Sequence, residues 1–212
     1  MGKRSSGFAS AALRERLAQA AARLMIEHGI RDFGLAKRKA AERLGVKDLG
    51  ALPSNAQIEA SLAERQRIFE PRAHGHRLAH LRRVALSVMD ELAAFQPRLV
   101  GSVLAGTATT SAPIELHAFS DSPETIAESL TAQGASLRDF QRRYRYNSQR
   151  VALVPGYRFL RDGAEVVVLT FPENGLREAP LSPVDQRPMK RAGRGEVAEL
   201  LGASASAAFP LA

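Results

Sequence analysis

The fold is decided by residues 98–119, which read RLVGSVLAGTATTSAPIELHAF. Leu99-Val100 is a short apolar run that leads into the turn Gly101-Ser102, where a helix can begin. Residues 114–119 then alternate in polarity with a period of two, which is typical of a strand. The stretch therefore predicts two neighbouring strands, with Ser102 at the start of a helix between them.

This arrangement resembles the signature of the nucleotidyltransferase superfamily. In that signature Gly-Ser follows a strand, a second glycine comes a few residues later, and the next strand carries Asp-x-Asp. The resemblance implies that Gly101, Ser102 and Gly106 bind the phosphates of a nucleotide, because backbone N–H groups at a glycine-rich helix start can approach a triphosphate. It also implies Mg²⁺ as cofactor, held by the paired acids and by a third acid on a later strand.

The acids of this chain depart from that signature. Pro113 stands at the first acidic position, Glu115 stands at the second, and Glu165 is the candidate for the third. His117 follows Glu115 by two residues and shares its strand face, so the candidate metal ligands are Glu115, His117 and Glu165. Because proline cannot ligate a metal, we expect one weak Mg²⁺ site at most and little or no nucleotidyl transfer. An active metal-dependent nucleotidyltransferase is the alternative.

The rest of the C-terminal half carries further strand and helix signals. Ser122-Pro123 begins a helix that ends near Gln133, since serine is a good N-cap and proline fits the first helical position. Two apolar strands flank Asp162-Gly163, a pair typical of a tight hairpin. We expect residues 98–202 to form a small nucleotidyltransferase-like mixed sheet with flanking helices, and residues 203–212 to form a loose tail.

The N-terminal half has the period of helices. Residues 1–10 are expected to be a disordered basic tail, and residues 11–97 a domain of about four helices. The third helix begins with the capping-box residues Ser54 and Gln57, and its stripe is Ile58, Leu62, Arg65 and Phe69. The fourth helix has the strongest amphipathic seam, between residues 78 and 95. The fold class is therefore α+β, with the helices before the sheet.

The first two helices also resemble the opening of a TetR-type helix-turn-helix domain, through AAARLMIEHG at residues 20–29 and AAERLGV at residues 40–46. The resemblance implies a nucleic-acid surface whose phosphate contacts are Lys37, Arg38, Lys39 and Arg43. In the family a recognition helix starts directly after Gly-Val. Here residues 47–53 intervene, so the recognition element is displaced or absent.

Charge is distributed unevenly along the chain. Residues 1–97 hold 17 Lys/Arg against 10 Asp/Glu, whereas residues 98–212 hold 13 against 12. A polyanion would therefore meet the helical half first, although a helical bundle with a solvated basic face explains the same excess. Residues 140–146 read FQRRYRY, a pattern that either stacks bases on its tyrosines or packs the tyrosines inward.

Composition narrows the class of protein. The chain has no cysteine, so disulfides and cysteine-type metal centres are excluded. Its longest apolar run covers residues 166–169, and no apolar signal core follows the basic first residues, so we expect a cytoplasmic protein without a membrane partner. The preferred hypothesis is a nucleotidyltransferase-like protein with a degraded catalytic site that binds a nucleotide or nucleic acid. A DNA-binding regulator is the second hypothesis.

Overall fold

The computed structural model describes residues 2–208, and it divides the chain into two compact units. The helical unit comprises the residues up to Pro71 together with Thr109–Ser111 and Pro183–Asp185. The sheet unit comprises Arg72–Ala108, Ala112–Ser182 and the residues from Gln186 onward. No helix in the described range is both long enough and apolar enough to cross a membrane.

The helical unit contains helices α1 (Gly2–Glu27), α2 (Phe33–Arg43) and α3 (Asn55–Phe69), with a 3₁₀ turn at Leu49–Ala51. Its core is rich in alanine, and small side chains let the helices pack closely around Leu17, Ile58 and Leu62. The predicted capping box is confirmed. Ser54 Oγ accepts a hydrogen bond from the Gln57 backbone at 3.1 Å, and Gln57 Oε1 accepts one from the Ser54 backbone at 2.8 Å.

Two expectations for this unit differ from the structure. Helix α1 begins at Gly2, whereas residues 1–10 were expected to be disordered. Once buried residues such as Leu17 fix the helix, each added residue extends it at little cost. In α3 the ring of Phe69 is 68% exposed beneath the guanidinium of Arg65, and Gln66 is buried in the expected stripe instead.

The sheet unit contains five strands in the order β1-β2-β5-β4-β3, of which only β2 and β5 are parallel neighbours. The strands are β1 (Arg98–Val100), β2 (Ile114–Phe119), β3 (Arg138–Arg145), β4 (Val151–Arg161) and β5 (Ala164–Phe171). The helices are α4 (Pro71–Glu91), α5 (Gly101–Ala105), α6 (Pro123–Ala132) and α7 (Arg194–Ala208). The α+β class and the mixed sheet are thus confirmed.

The stretch that decided the fold has the expected form. Strand β2 pairs with β1, and α5 begins directly after Val100. The hairpin turn between β4 and β5 is also where it was predicted, with φ of +49° at Asp162 and +76° at Gly163. The C-terminal helix α7 is longer than expected and continues to Ala208, inside the segment expected to be a loose tail; residues 209–212 lie outside the described range.

Helix α4 packs with the sheet rather than in the helical domain to which residues 11–97 were assigned. Its buried residues Leu81, Val84 and Val88 belong to the same core cluster as Leu116 of β2 and Val166 of β5. Helices α6 and α7 contribute to that cluster through Ile126, Leu130 and Val197. An amphipathic seam reveals that one helix face is buried, but it does not reveal what covers it.

Candidate functional site

The two faces of the sheet differ sharply in chemistry. One face, which we call the helix face, carries Leu116, Val166 and Val168 and is covered by α4, α6 and α7. The opposite face, which we call the arginine face, carries Arg138, Arg142, Arg158, Glu115 and Glu165. The candidate ligands Glu115, His117 and Glu165 therefore all lie on the arginine face, as their spacing on the strands requires.

Side chains of the arginine face contact one another across several strands. Arg142 on β3 donates a hydrogen bond to Glu115 on β2 at 2.7 Å, although β4 and β5 lie between these strands. Tyr144 on β3 likewise meets His117 on β2, with the hydroxyl and Nε2 3.3 Å apart. Three strand spacings in a flat sheet amount to roughly 14 Å. The two pairs therefore span three strand spacings through long side chains that lie across the sheet.

Glu115 lies at the start of α5 and is paired through Oε1. Its Oε1 accepts the hydrogen bond from Arg142, and the two side chains retain only 20% and 33% of their exposure. Its Oε2 lies so close to Gly101 that a Cβ added there would be 3.0 Å away. Gly101 also has φ of +69°, so both the backbone conformation and the neighbouring carboxylate require glycine. The carboxylate occupies the place where the resemblance put a phosphate.

His117 is completely buried and has no free ring nitrogen. Its Nδ1 accepts a hydrogen bond from Nε of Arg191 at 3.1 Å, so Nε2 carries the proton and points at Tyr144. Burial lowers the pKa of His117 well below its usual 6.5, and the positive charges of Arg191 and Arg142 lower it further. Burial also raises the pKa of Tyr144 to about 12. The pair is neutral at physiological pH and offers no lone pair to a metal.

Glu165 lies beside a pair of opposed arginines. Its Oε1 is 3.9 Å from Nη1 of Arg158, and Arg158 stands directly opposite Arg138 in the β3–β4 register. Like charges directly opposite on neighbouring strands destabilise a sheet unless an anion lies between them. Within the described part of the chain, the buried Nε of Arg158 has no hydrogen-bond partner.

Aromatic rings on this face are already covered. Phe140 lies over Gly156, where an added Cβ would be 3.0 Å from its Cε1, and the Arg158 guanidinium is 4.5 Å from its ring centroid. Tyr144 is buried, and Tyr146 lies 4.0 Å beneath the guanidinium of Arg150. Residues 140–146 were expected either to stack bases on their tyrosines or to pack the tyrosines inward. Tyr144 packs inward.

The three glycine-loop residues do not converge on one point. Gly101 and Ser102 begin α5, whereas Gly106 ends it in a left-handed conformation with φ of +82°. The carbonyl of Gly106 instead accepts a hydrogen bond from Nε2 of His74 at 2.9 Å. Gly106 thus serves as a helix cap, at the opposite end of the helix from the expected phosphate site.

On α2, Arg38, Lys39 and Arg43 are exposed, whereas Lys37 is half-buried and burial lowers its pKa. A helix does not start directly after Gly45-Val46, because the 3₁₀ turn Leu49–Ala51 intervenes before α3. The exposed surface of α3 carries alanines and Glu64, with Arg67 as its exposed basic residue. In the helical unit the basic side chains of α2 therefore offer the better polyanion surface.

The metal donors of the resemblance do not fit Mg²⁺. Glu115 Oε1 is bonded to Arg142. The two ring nitrogens of His117 contact Arg191 and Tyr144. Glu165 lies beside Arg158. Among the side chains that the structure describes, no group of three His, Asp or Glu residues is placed to hold a metal ion. Two Mg²⁺ ions require several shared oxygens, which these residues do not supply.

Sequence reasoning did not identify Arg138, Arg142, Arg158 and Arg191 as site residues. The signal for two of them was present, because Arg138, Phe140 and Arg142 alternate along one strand with the period of two. Nothing local to Arg191 indicates that its Nη1 donates to the Gly175 carbonyl at 2.7 Å and that its guanidinium lies 5.2 Å from the centroid of Phe171.

Comparison of the chain with protein-family models, with curated proteins and with solved structures gives no match. The functional argument therefore depends on the geometry of the arginine face and of α2.

Proposed function

We propose that this protein binds a phosphorylated ligand, a nucleotide being the candidate, on the arginine face and does not turn it over. One observation carries the proposal: the arginine face brings four arginines together with two glutamates, and two of the arginines stand directly opposite each other. Guanidinium groups are well matched to phosphate oxygens because they donate two parallel hydrogen bonds.

Electrostatics favours the arginines over the α5 start as the phosphate site. The Glu115 carboxylate lies against Gly101 and would repel a phosphate placed there. Arg138 is exposed, and Arg158 keeps 43% of its side-chain exposure, so both can reach a ligand. An anion between them relieves their mutual repulsion.

Catalysis of phosphoryl or nucleotidyl transfer depends mainly on charge stabilisation by metal ions. Because the candidate carboxylates are paired with arginines, binding should not require Mg²⁺. Mg²⁺ should leave ATP binding unchanged or weaken it, since the ion neutralises the phosphate charge that the arginines attract.

Calorimetric titration with ATP, with and without Mg²⁺, tests this proposal together with product analysis using radiolabelled triphosphates. We expect binding without Mg²⁺ and no label transfer. Tightening of about tenfold on addition of Mg²⁺ would contradict the proposal, since that is about 1.4 kcal/mol of metal-dependent affinity. Robust label transfer that disappears in Glu115→Ala would instead establish the active nucleotidyltransferase.

A second candidate function is weak, sequence-tolerant nucleic-acid binding through the exposed Arg38, Lys39 and Arg43 of α2. Fluorescence anisotropy with a duplex DNA at several salt concentrations measures it. The triple variant Arg38→Gln, Lys39→Gln, Arg43→Gln should reduce the salt slope by about 0.9 per lost phosphate contact. Arg14→Gln, Arg16→Gln, Arg67→Gln removes three exposed charges elsewhere in the unit and is the control.

Failure to bind at low salt would eliminate this candidate. A preference for one DNA sequence of more than about 10³-fold over random DNA would support a specific regulator instead.

A further inference from the structure

We infer that the arginine face recognises the polyphosphate chain alone, so that its ligand class is the triphosphate group irrespective of base and sugar. The inference rests on the proposed function and goes beyond it by naming the part of the ligand that the protein contacts. It follows from two observations: the aromatic rings of this face are buried or covered, and its arginines lie along neighbouring strands.

Proteins hold a base in a sequence-tolerant way by stacking it on an open aromatic ring. Phe140 is the most accessible ring on the arginine face, and it is not open. It packs over Gly156, and the guanidinium of Arg158 lies 4.5 Å from its centroid. The guanidinium of Arg142 lies 5.8 Å from the same centroid. A base could stack on Phe140 only by displacing an arginine.

The other rings of this face are equally unavailable. Tyr144 is 6% exposed and makes an edge contact with His117. Phe119 and Phe171 are buried, and Arg191 lies over both at 5.1 and 5.2 Å. Next to the strand, Tyr146 is stacked by Arg150. Among the residues that the structure describes on this face, each aromatic ring is thus buried or covered by a guanidinium.

The same stacking favours phosphate. A guanidinium that lies over a ring keeps its in-plane N–H groups directed away from the ring, where they can donate to phosphate oxygens. Arg138 and Arg142 are four residues apart on β3, which is roughly 13 Å, and Arg158 lies between them over Phe140. Three arginines thus lie along about 13 Å of one sheet face, a length over which they can contact successive phosphates.

The experiment compares the affinities of sodium tripolyphosphate, ATP, UTP and adenosine by calorimetry without Mg²⁺. We expect tripolyphosphate, ATP and UTP to bind within about threefold of one another, a difference below 1 kcal/mol, and adenosine not to bind. If tripolyphosphate binds more than threefold tighter than both nucleotides, the ligand is inorganic polyphosphate. If all three bind equally, any nucleoside triphosphate can be the ligand.

The failures of the two proposals are distinguishable. If ATP binds but tripolyphosphate is at least about 30-fold weaker, or if ATP and UTP differ by that factor, this inference is wrong and the proposed function stands. If neither phosphate ligand binds, both are wrong.

The variant Phe140→Leu provides an independent check. It removes the ring and retains an apolar side chain over Gly156, so the affinities for ATP and tripolyphosphate should fall by the same factor. A selective loss of ATP binding would show that a base does stack on Phe140, and it would overturn the inference.

Discussion

Leu116 and Glu115 are neighbours on β2, but their environments have nothing in common. Leu116 points to the helix face and is completely buried among side chains of α4, α6 and α7. Glu115 points to the arginine face, is partly exposed, and bonds to Arg142. The helix face stabilises the sheet unit through apolar burial. The arginine face has an apolar cluster of its own, in which Phe119, Leu169 and Phe171 are buried, and its charged side chains lie beside that cluster.

The largest difference between the faces should be in stability. We expect Leu116→Ala to lower the free energy of unfolding of the sheet unit by about 2–5 kcal/mol, because it leaves a cavity in a closed core. Glu115→Gln on the next residue should cost at most about 1 kcal/mol, as is usual for a partly exposed ion pair. Chemical denaturation followed by circular dichroism measures both. Equal losses would mean that the arginine face is as much a structural core as the helix face.

A clash beneath Phe140 tests the packing of the arginine face itself. An added Cβ in Gly156→Ala would lie 2.7 Å from the Val168 carbonyl oxygen and 3.0 Å from Phe140, so we expect a loss of about 1–3 kcal/mol. Gly75→Ala in α4 is the control, since nothing lies within 4 Å of its added Cβ. That change should stabilise the protein by about 0.5–1 kcal/mol. A neutral Gly156→Ala would show that both the Val168 backbone and the Phe140 ring can move away.

The buried His117 predicts a pH dependence that the helix face lacks. Because its pKa is lowered in the folded state, the unfolded chain takes up a proton near pH 6.5 while the folded chain does not. Its contribution to stability is therefore complete above pH 6.5 and is lost as the pH falls below that value, by up to about 1.4 kcal/mol per pH unit.

Denaturation of the wild type and of His117→Gln between pH 7.5 and pH 5.5, a range chosen around roughly the free histidine pKa, isolates this effect. The variant should be less stable at the upper end and show a flatter pH profile. Parallel profiles for the two proteins would mean that folding does not lower the pKa of His117.

Signals within a few residues of sequence predicted several of the strands, turns and helix ends. The period of two placed β2, the Asp162-Gly163 pair placed the hairpin turn, and Ser54 with Gln57 placed the start of α3. Each of these depends on residues at most a few positions apart. The shared face of Glu115 and His117 was predicted in the same way and is confirmed by the register of β2 and β5.

Partners that are distant along the chain could not be predicted. The Glu115–Arg142 pair spans 27 residues and the His117–Arg191 pair spans 74. Both depend on the strand order and on which side chains meet across the sheet, which are tertiary properties. For the same reason the seam of α4 was assigned to the helical half, although it packs on the sheet. Pro113 was visible in the sequence, but the arginines that pair with Glu115 and Glu165 were not.

The central claim is that the arginine face, and not the general basicity of the protein, binds phosphate. The most direct measurement is the affinity for ATP of two double variants that remove equal charge from opposite faces of the same hairpin. Arg138→Gln, Arg158→Gln acts on the arginine face, whereas Arg143→Gln, Arg145→Gln removes two exposed charges from the opposite side of β3. We predict that the first variant loses at least about tenfold in affinity, or 1.4 kcal/mol, and that the second changes it less than about twofold. Equal losses in both variants, or no loss in the first, would contradict the account.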